Sequence, residues 1–234
     1  YMGGLVKVIA ANPAFKLTIP MEQNEYITQN VVRSIHEDLQ HNIWIATKGG
    51  KIHLYTLDGK PLQILNSLRT DNGQHISPNV YSIIVDKEGY LWLGTKGNGL
   101  FKTSKPINQY QNNFKDIVFT NYIHQSSDSL SLGHNNVYSL TEDQWGHIWV
   151  ATFGGGISRM NKHNNKVTFT NITKANSNLS TNQIRYLKID SEGNLWIATT
   201  FGINMLPKAQ LNNDQFRFRH FLHSAGDKNS LSYN

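Results

Sequence analysis

One stretch occurs four times along this chain and constrains what it can fold into. It is clearest in EDQWGHIWVAT, Glu142 to Thr152, which reads as a strand end, a tight turn and a second strand. Asp143 and Gly146 are turn residues, and Ile148, Trp149 and Val150 are strand formers. Asp38, Asp86, Asp143 and Asp190 each stand six residues before a tryptophan: Trp44, Trp92, Trp149 and Trp196. Three residues after each tryptophan comes a threonine, at 47, 95, 152 and 199, and two residues after it a small residue, Ala46, Gly94, Ala151 or Ala198. Gly89, Gly146 and Gly193 precede their tryptophans by three residues; His41 takes that place in the first copy.

The tryptophans are 48, 57 and 47 residues apart. A period of roughly 40–50 residues with several short strands per copy is the mark of a β-propeller. Helical solenoids share the period, but the apolar spacing here is strand-like. In the second copy, Val80 to Val85 is a first strand, Asp86 to Gly89 a turn, Tyr90 to Thr95 a second strand, Leu100 to Lys102 the start of a third, and Ile117 to Tyr122 a fourth. Leu91, Trp92 and Leu93 place apolar groups on both faces of the second strand, as blades packed face to face require. The small residue two places after each tryptophan shares its face and leaves room for a neighbouring blade. The expected fold is therefore all-β, a β-propeller segment of four-stranded antiparallel blades.

The repeat places half a blade over residues 1–29 and complete blades over 30–77, 78–134, 135–181 and 182–233. Gly4 to Val8 and Phe15 to Ile19 supply the half blade, and Ser67 to Ser77 reads as a polar connection. Ser230 to Asn234 matches Asn178 to Asn182, the approach to a first strand. The chain is thus read as an open arc that seeks cover from further blades or from a second copy.

The 234 residues, 38% of them hydrophobic, suffice for a sizeable core, and no apolar run approaches the ~18 residues of a membrane helix. With no cysteine, disulfides and thiolate metal sites are excluded. A net charge of +6 permits anionic partners, but the basic residues are scattered and carry no reading motif, so nucleic acid is not an expected partner.

The copies resemble the two-component regulator propeller repeat, with the pattern N-x-V…D-x-x-G-x-[IL]-W-[IVL]-[AG]-T-x-x-G-[GL]. NNVYSLTEDQWGHIWVATFGGGIS and NVYSIIVDKEGYLWLGTKGNGLF show it best. His41 departs from it, as does Pro78, where the other blades have Asn30, Asn135 and Asn182. The resemblance implies seven-bladed propellers in the periplasmic sensor of Bacteroidetes hybrid two-component histidine kinases. It further implies an oligosaccharide ligand from glycan breakdown, and membrane-linked signalling domains in the same protein. A homodimer is a further expected partner.

The repeated aspartates read as turn residues bonded to their own backbone rather than as cation ligands, because a ligand site is rarely needed in every blade. The tryptophans read as core. The histidines lack zinc spacing, and Gly154 to Gly156 is followed by no lysine–serine pair, so it is a strand connection and not a phosphate loop. No catalytic residue, metal site or cofactor is assigned. The alternative function is a propeller lyase of the streptogramin type, for which His36 and Lys188 occupy equivalent first-strand positions; a protein-interaction scaffold is another. Strand alternation puts the loops after second strands, carrying Lys48, Lys96, Phe153 and Phe201, on the face of the loops entering each blade, where Asn79 stands. These five are the candidate ligand-binding residues.

Overall fold

The computed structural model describes residues 31–233 apart from 78, 111, 112, 164 and 165. The half blade expected over residues 1–29 lies outside the described residues, as do Asn30 and Pro78. The fold is all-β, a β-propeller segment of antiparallel blades. The first sheet is β1 (Val32–Glu37), β2 (Ile43–Thr47), β3 (Ile52–Tyr55) and β4 (Pro61–Leu65) in sequence order. Next come β5 (Leu68–Thr70), β6 (His75–Ile76), β7 (Asn79–Val85), β8 (Leu91–Lys96), β9 (Leu100–Thr103) and β10 (Val118–Tyr122), ordered β6-β5-β10-β9-β8-β7. The third sheet is β11 (Val137–Glu142), β12 (Ile148–Thr152), β13 (Ile157–His163) and β14 (Lys166–Ile172). The fourth is β15 (Ile184–Ile189), β16 (Leu195–Thr199), β17 (Ile203–Leu206) and β18 (Arg219–Phe221).

Residues 67–77 correct the sequence reading. They are a hairpin, β5 against β6, and β5 runs parallel to β10 with Arg69 opposite Val118 and Thr70 opposite Phe119. Leu68 and Thr70 are buried, which draws this short segment onto the blade edge despite its polar neighbours.

Each repeat is built around one carboxylate. Nε1 of Trp44, Trp92, Trp149 and Trp196 donates to Asp38, Asp86, Asp143 and Asp190 at 2.8, 2.7, 2.9 and 2.7 Å. The other carboxylate oxygen accepts turn N–H groups; on Asp143 these come from Trp145 and His147, at 2.9 and 3.0 Å. The turn needs a left-handed fourth residue. Gly89, Gly146 and Gly193 supply it, and His41 adopts the same conformation at φ +62°. Past the tryptophan, the threonine hydroxyl closes the next loop: Thr95 donates to the Gly99 carbonyl and Thr152 to that of Gly156, at 2.7 and 2.8 Å. A Cβ on Gly156, whose φ is +72°, would stand 2.2 Å from the Ile172 carbonyl.

Two compact units divide the chain, Tyr1–Leu93 with Lys102–Thr120, and Gly94–Phe101 with Asn121–Asn234. Within the first, Oγ of Ser34 accepts the Ile83 N–H at 3.0 Å, and Nε2 of His36 accepts that of Val85 at 2.9 Å. Phe114 meets Trp44 edge-on, with centroids 5.9 Å apart. Within the second, Oγ of Ser139 accepts the Leu187 N–H at 3.1 Å, repeating the Ser34 arrangement. Phe216 meets Trp149 edge-on at 6.1 Å. Ala151, Ile157, Ile184, Leu195, Ile197 and Leu206 pack with Trp149 in one buried cluster.

Candidate functional site

The loops that follow the second strands are fixed by backbone hydrogen bonds to the segment entering their own blade and, in the second unit, also to the one entering the next. In the second unit these links run along one rim. Lys96 bridges Asn136, whose carbonyl accepts the Phe153 N–H at 2.9 Å. Phe153 in turn bridges Gln183, whose carbonyl accepts the Thr200 N–H at 3.2 Å. Phe201 follows, 49% exposed. Lys96, Phe153 and Phe201 therefore stand along one ladder of loop contacts. Lys48, exposed, and Asn79, half-buried, belong to the first unit. The Lys48 N–H donates to the Val31 carbonyl at 2.8 Å.

Asn135 and Asn182, the repeat's leading asparagines, are held in the framework. The Asn182 carbonyl accepts the N–H groups of Gly154 and Gly156, both at 3.0 Å, and its Oδ1 accepts the Lys174 N–H at 2.8 Å. Asn135 does the same for Gly97, Gly99 and His124.

Two residues that the sequence reading passed over complete the rim around Phe153. The Tyr138 ring lies stacked on it, with centroids 5.3 Å apart at an interplanar angle of 24°. The Arg185 guanidinium lies 4.5 Å from the Phe153 centroid and 5.7 Å from that of Tyr138. The first unit holds a similar pair, with the Arg33 guanidinium carbon 4.0 Å from the Tyr81 ring centroid. The available signal was positional: residues 33, 81, 138 and 185 occupy one place in the repeat and are only arginine or tyrosine. Such a group offers flat apolar faces to the C–H side of a sugar and cationic donors to its substituents.

His36 is differently employed. It is half-buried, its Nε2 accepts the Val85 N–H, and burial holds its pKa below the usual imidazole value. Among the described residues, no cluster of three or more histidine, aspartate or glutamate side chains is arranged to hold a metal ion. The repeat aspartates are engaged by indole and backbone N–H groups; on Asp190 the Trp196 hydrogen bond leads the causes that hold its pKa down at about 2. A cleft of about 560 Å³ in the second unit is lined by Asn178, Gln210, Asn213, Gln215, Phe216 and Arg217. Two of its amides are committed: Asn178 pairs with both backbone groups of Phe218, and Gln210 accepts the Arg217 N–H.

Comparison with known proteins follows the repeat. A family described as two component regulator propeller matches residues 75–97, 131–154 and 178–201. Histidine kinase P4 of Formosa agariphila is 28% identical over 203 residues, which is 83% of this chain and 13% of that protein. The extracellular domain of the hybrid two component system BT4673 from B. thetaiotaomicron superposes with a TM-score of 0.62 at 22% identity, over 83% of this chain and 25% of that one. A streptogramin B lyase superposes at 0.55 with 17% identity, over 87% of this chain and 58% of the lyase. The chain thus spans a small part of the histidine kinase that it matches. At these identities the two superpositions establish the propeller fold. Among the described residues, no helix is long and apolar enough to cross a membrane.

Proposed function

Because this chain carries two-component regulator propeller repeats, we propose that it forms part of the extracytoplasmic sensor of a hybrid two-component histidine kinase, and that it binds oligosaccharides released by glycan breakdown. In this role the chain binds without catalysing. Further blades complete its propeller, and membrane-linked domains of the same protein carry the signal onward across the periplasmic face. The observation that supports ligand binding is the rim of the second unit. The residues that recur in every blade are consumed by the framework, as the aspartate–tryptophan bonds illustrate. Lys96, Tyr138, Phe153, Arg185 and Phe201 vary between blades and stand at loop or strand-entry positions. The lyase alternative is weakened by His36, whose ring nitrogen is occupied by a backbone N–H of the neighbouring blade.

A thermal-shift screen against plant and host oligosaccharides tests the reading. A rise in melting temperature with an oligosaccharide is the expected result. Calorimetry with that sugar then compares Lys48→Ala, Lys96→Ala and Phe153→Ala with the parent. Loss of one stacked ring is expected to weaken binding roughly tenfold, about 1.4 kcal/mol. Turnover of a streptogramin B depsipeptide, with no sugar binding, would instead make the chain a lyase.

A further inference from the structure

The first strand of a blade carries a bulge, and the residue standing in it is the one that a bulge re-aims. Register slips between Val32 and Ser34 in β1, between Val137 and Ser139 in β11, and between Ile184 and Tyr186 in β15. The bulge residues are therefore Arg33, Tyr138 and Arg185. Tyr81 holds the matching place in the second copy, between Val80 and Ser82. We propose that these arginine–tyrosine pairs are subsites for the carboxylate or sulfate groups of an acidic oligosaccharide. The inference rests on the reading of the chain as an oligosaccharide sensor and assigns the chemical class of its ligand.

Arg159 shows what a structural arginine looks like in this fold. It too lies over aromatic rings, 6.0 Å from the Trp149 centroid and 5.4 Å from that of Phe216. Its two terminal nitrogens are nevertheless committed: Nη1 donates to the carbonyls of Leu211 and Asn213, at 3.0 and 2.7 Å, and Nη2 to Asp214 at 2.9 Å. Arg33 and Arg185 have no carboxylate or carbonyl acceptor among the described residues, and Arg185 is exposed. The buried Nε does not separate the two kinds, since it lacks an acceptor in Arg33 and in Arg159 alike.

The stacking explains why the acceptor would be an acid. The exposed Arg185 guanidinium lies beside ring faces, and its N–H groups can make the two-pronged bond to a planar carboxylate or to sulfate. A ligand bound there would meet the Phe153 and Tyr138 rings beside those groups. Lys96, one backbone link away through Asn136, adds a second positive charge.

Calorimetry on the full chain with three tetrasaccharides tests this: tetragalacturonate, maltotetraose, and maltotetraose bearing sulfate. At least one charged probe is expected to bind tenfold or more tightly than maltotetraose, and to weaken as salt rises. Arg185→Gln is expected to lower that affinity about tenfold with an unchanged melting temperature, since the side chain is exposed. Arg185→Lys, which keeps the charge and loses the fork, is expected to fall between. Arg33→Gln reads the first unit in the same way. Carboxylate is the preferred group if tetragalacturonate binds more tightly, sulfate if the sulfated sugar does. Maltotetraose binding as tightly as the charged probes, with Arg185→Gln indistinguishable from the parent, would overturn the acidic-ligand inference and leave the sensor reading standing. Failure of every oligosaccharide, here and in the wider screen, would overturn both.

Discussion

The indole N–H of Trp149 donates to the carboxylate of Asp143, six residues earlier, at 2.9 Å, and both residues are almost wholly buried. The bond ties the turn between two strands to the centre of the second. The same carboxylate takes two backbone N–H groups of the turn, so one side chain sets both the turn and the tryptophan rotamer. Trp149→Ala is expected to cost about 3–5 kcal/mol and Asp143→Asn about 1–3 kcal/mol in urea unfolding. The double variant should fall short of the sum of the two. Strict additivity would show that the pair does not act as a unit.

Gly94 is small because of Val137. A Cβ at Gly94 would stand 2.6 Å from Cγ1 of Val137, on the first strand of the next blade. Gly94→Ala is expected to destabilise by about 1–3 kcal/mol. Val137→Ala introduced into that variant should recover part of the loss. No recovery would locate the crowding elsewhere.

His41 occupies a glycine conformation. Its exposed contact with Glu37 offsets little of the backbone cost. His41→Gly is expected to raise stability by about 0.5–1 kcal/mol, read as a higher urea midpoint at constant slope. A lower midpoint would mean that the imidazole contributes more than its exposure suggests.

Acid should weaken the fold through two groups. His36 has its pKa lowered below 6.5 by burial, so the unfolded chain takes up its proton first as pH falls. Its contribution is complete above pH 6.5 and is lost as pH drops through the folded value. His36→Gln, which keeps an acceptor for the Val85 N–H, should flatten this slope. Asp190 is held at about 2 against a usual 3.8, chiefly by Trp196. Its contribution is present above 3.8 and disappears as pH falls from there towards 2. Urea midpoints measured from pH 8 to pH 2 on the parent, His36→Gln and Asp190→Asn separate the two.

Much of the blade framework was legible because it repeats: a fourfold register of aspartate, tryptophan and threonine marks turn, strand and loop without reference to any other protein. The tryptophan–aspartate bond was not, since a turn aspartate is already explained by its own backbone. Residues 67–77 hide two strands because their strands are only three and two residues long and most of their side chains face solvent. The rim was half legible. Phe153 stood out as an aromatic in a loop. Arg185 did not, because it lies 32 positions downstream and meets Phe153 only when neighbouring blades are side by side.

The parallel pairing of β5 with β10 bears on how this chain is made. Arg69 waits for Val118 and Thr70 for Phe119, each 49 residues later. At ribosomal speeds of about 5–20 residues per second, Leu68 and Thr70 emerge roughly 2–10 s before the strand that covers them. Throughout that interval the nascent hairpin presents an open edge, and the blade it belongs to cannot be sealed until its last strand has been synthesised. The order of synthesis thus leaves this blade a period of exposure in which chaperone binding or mispairing with another nascent chain competes with its own completion.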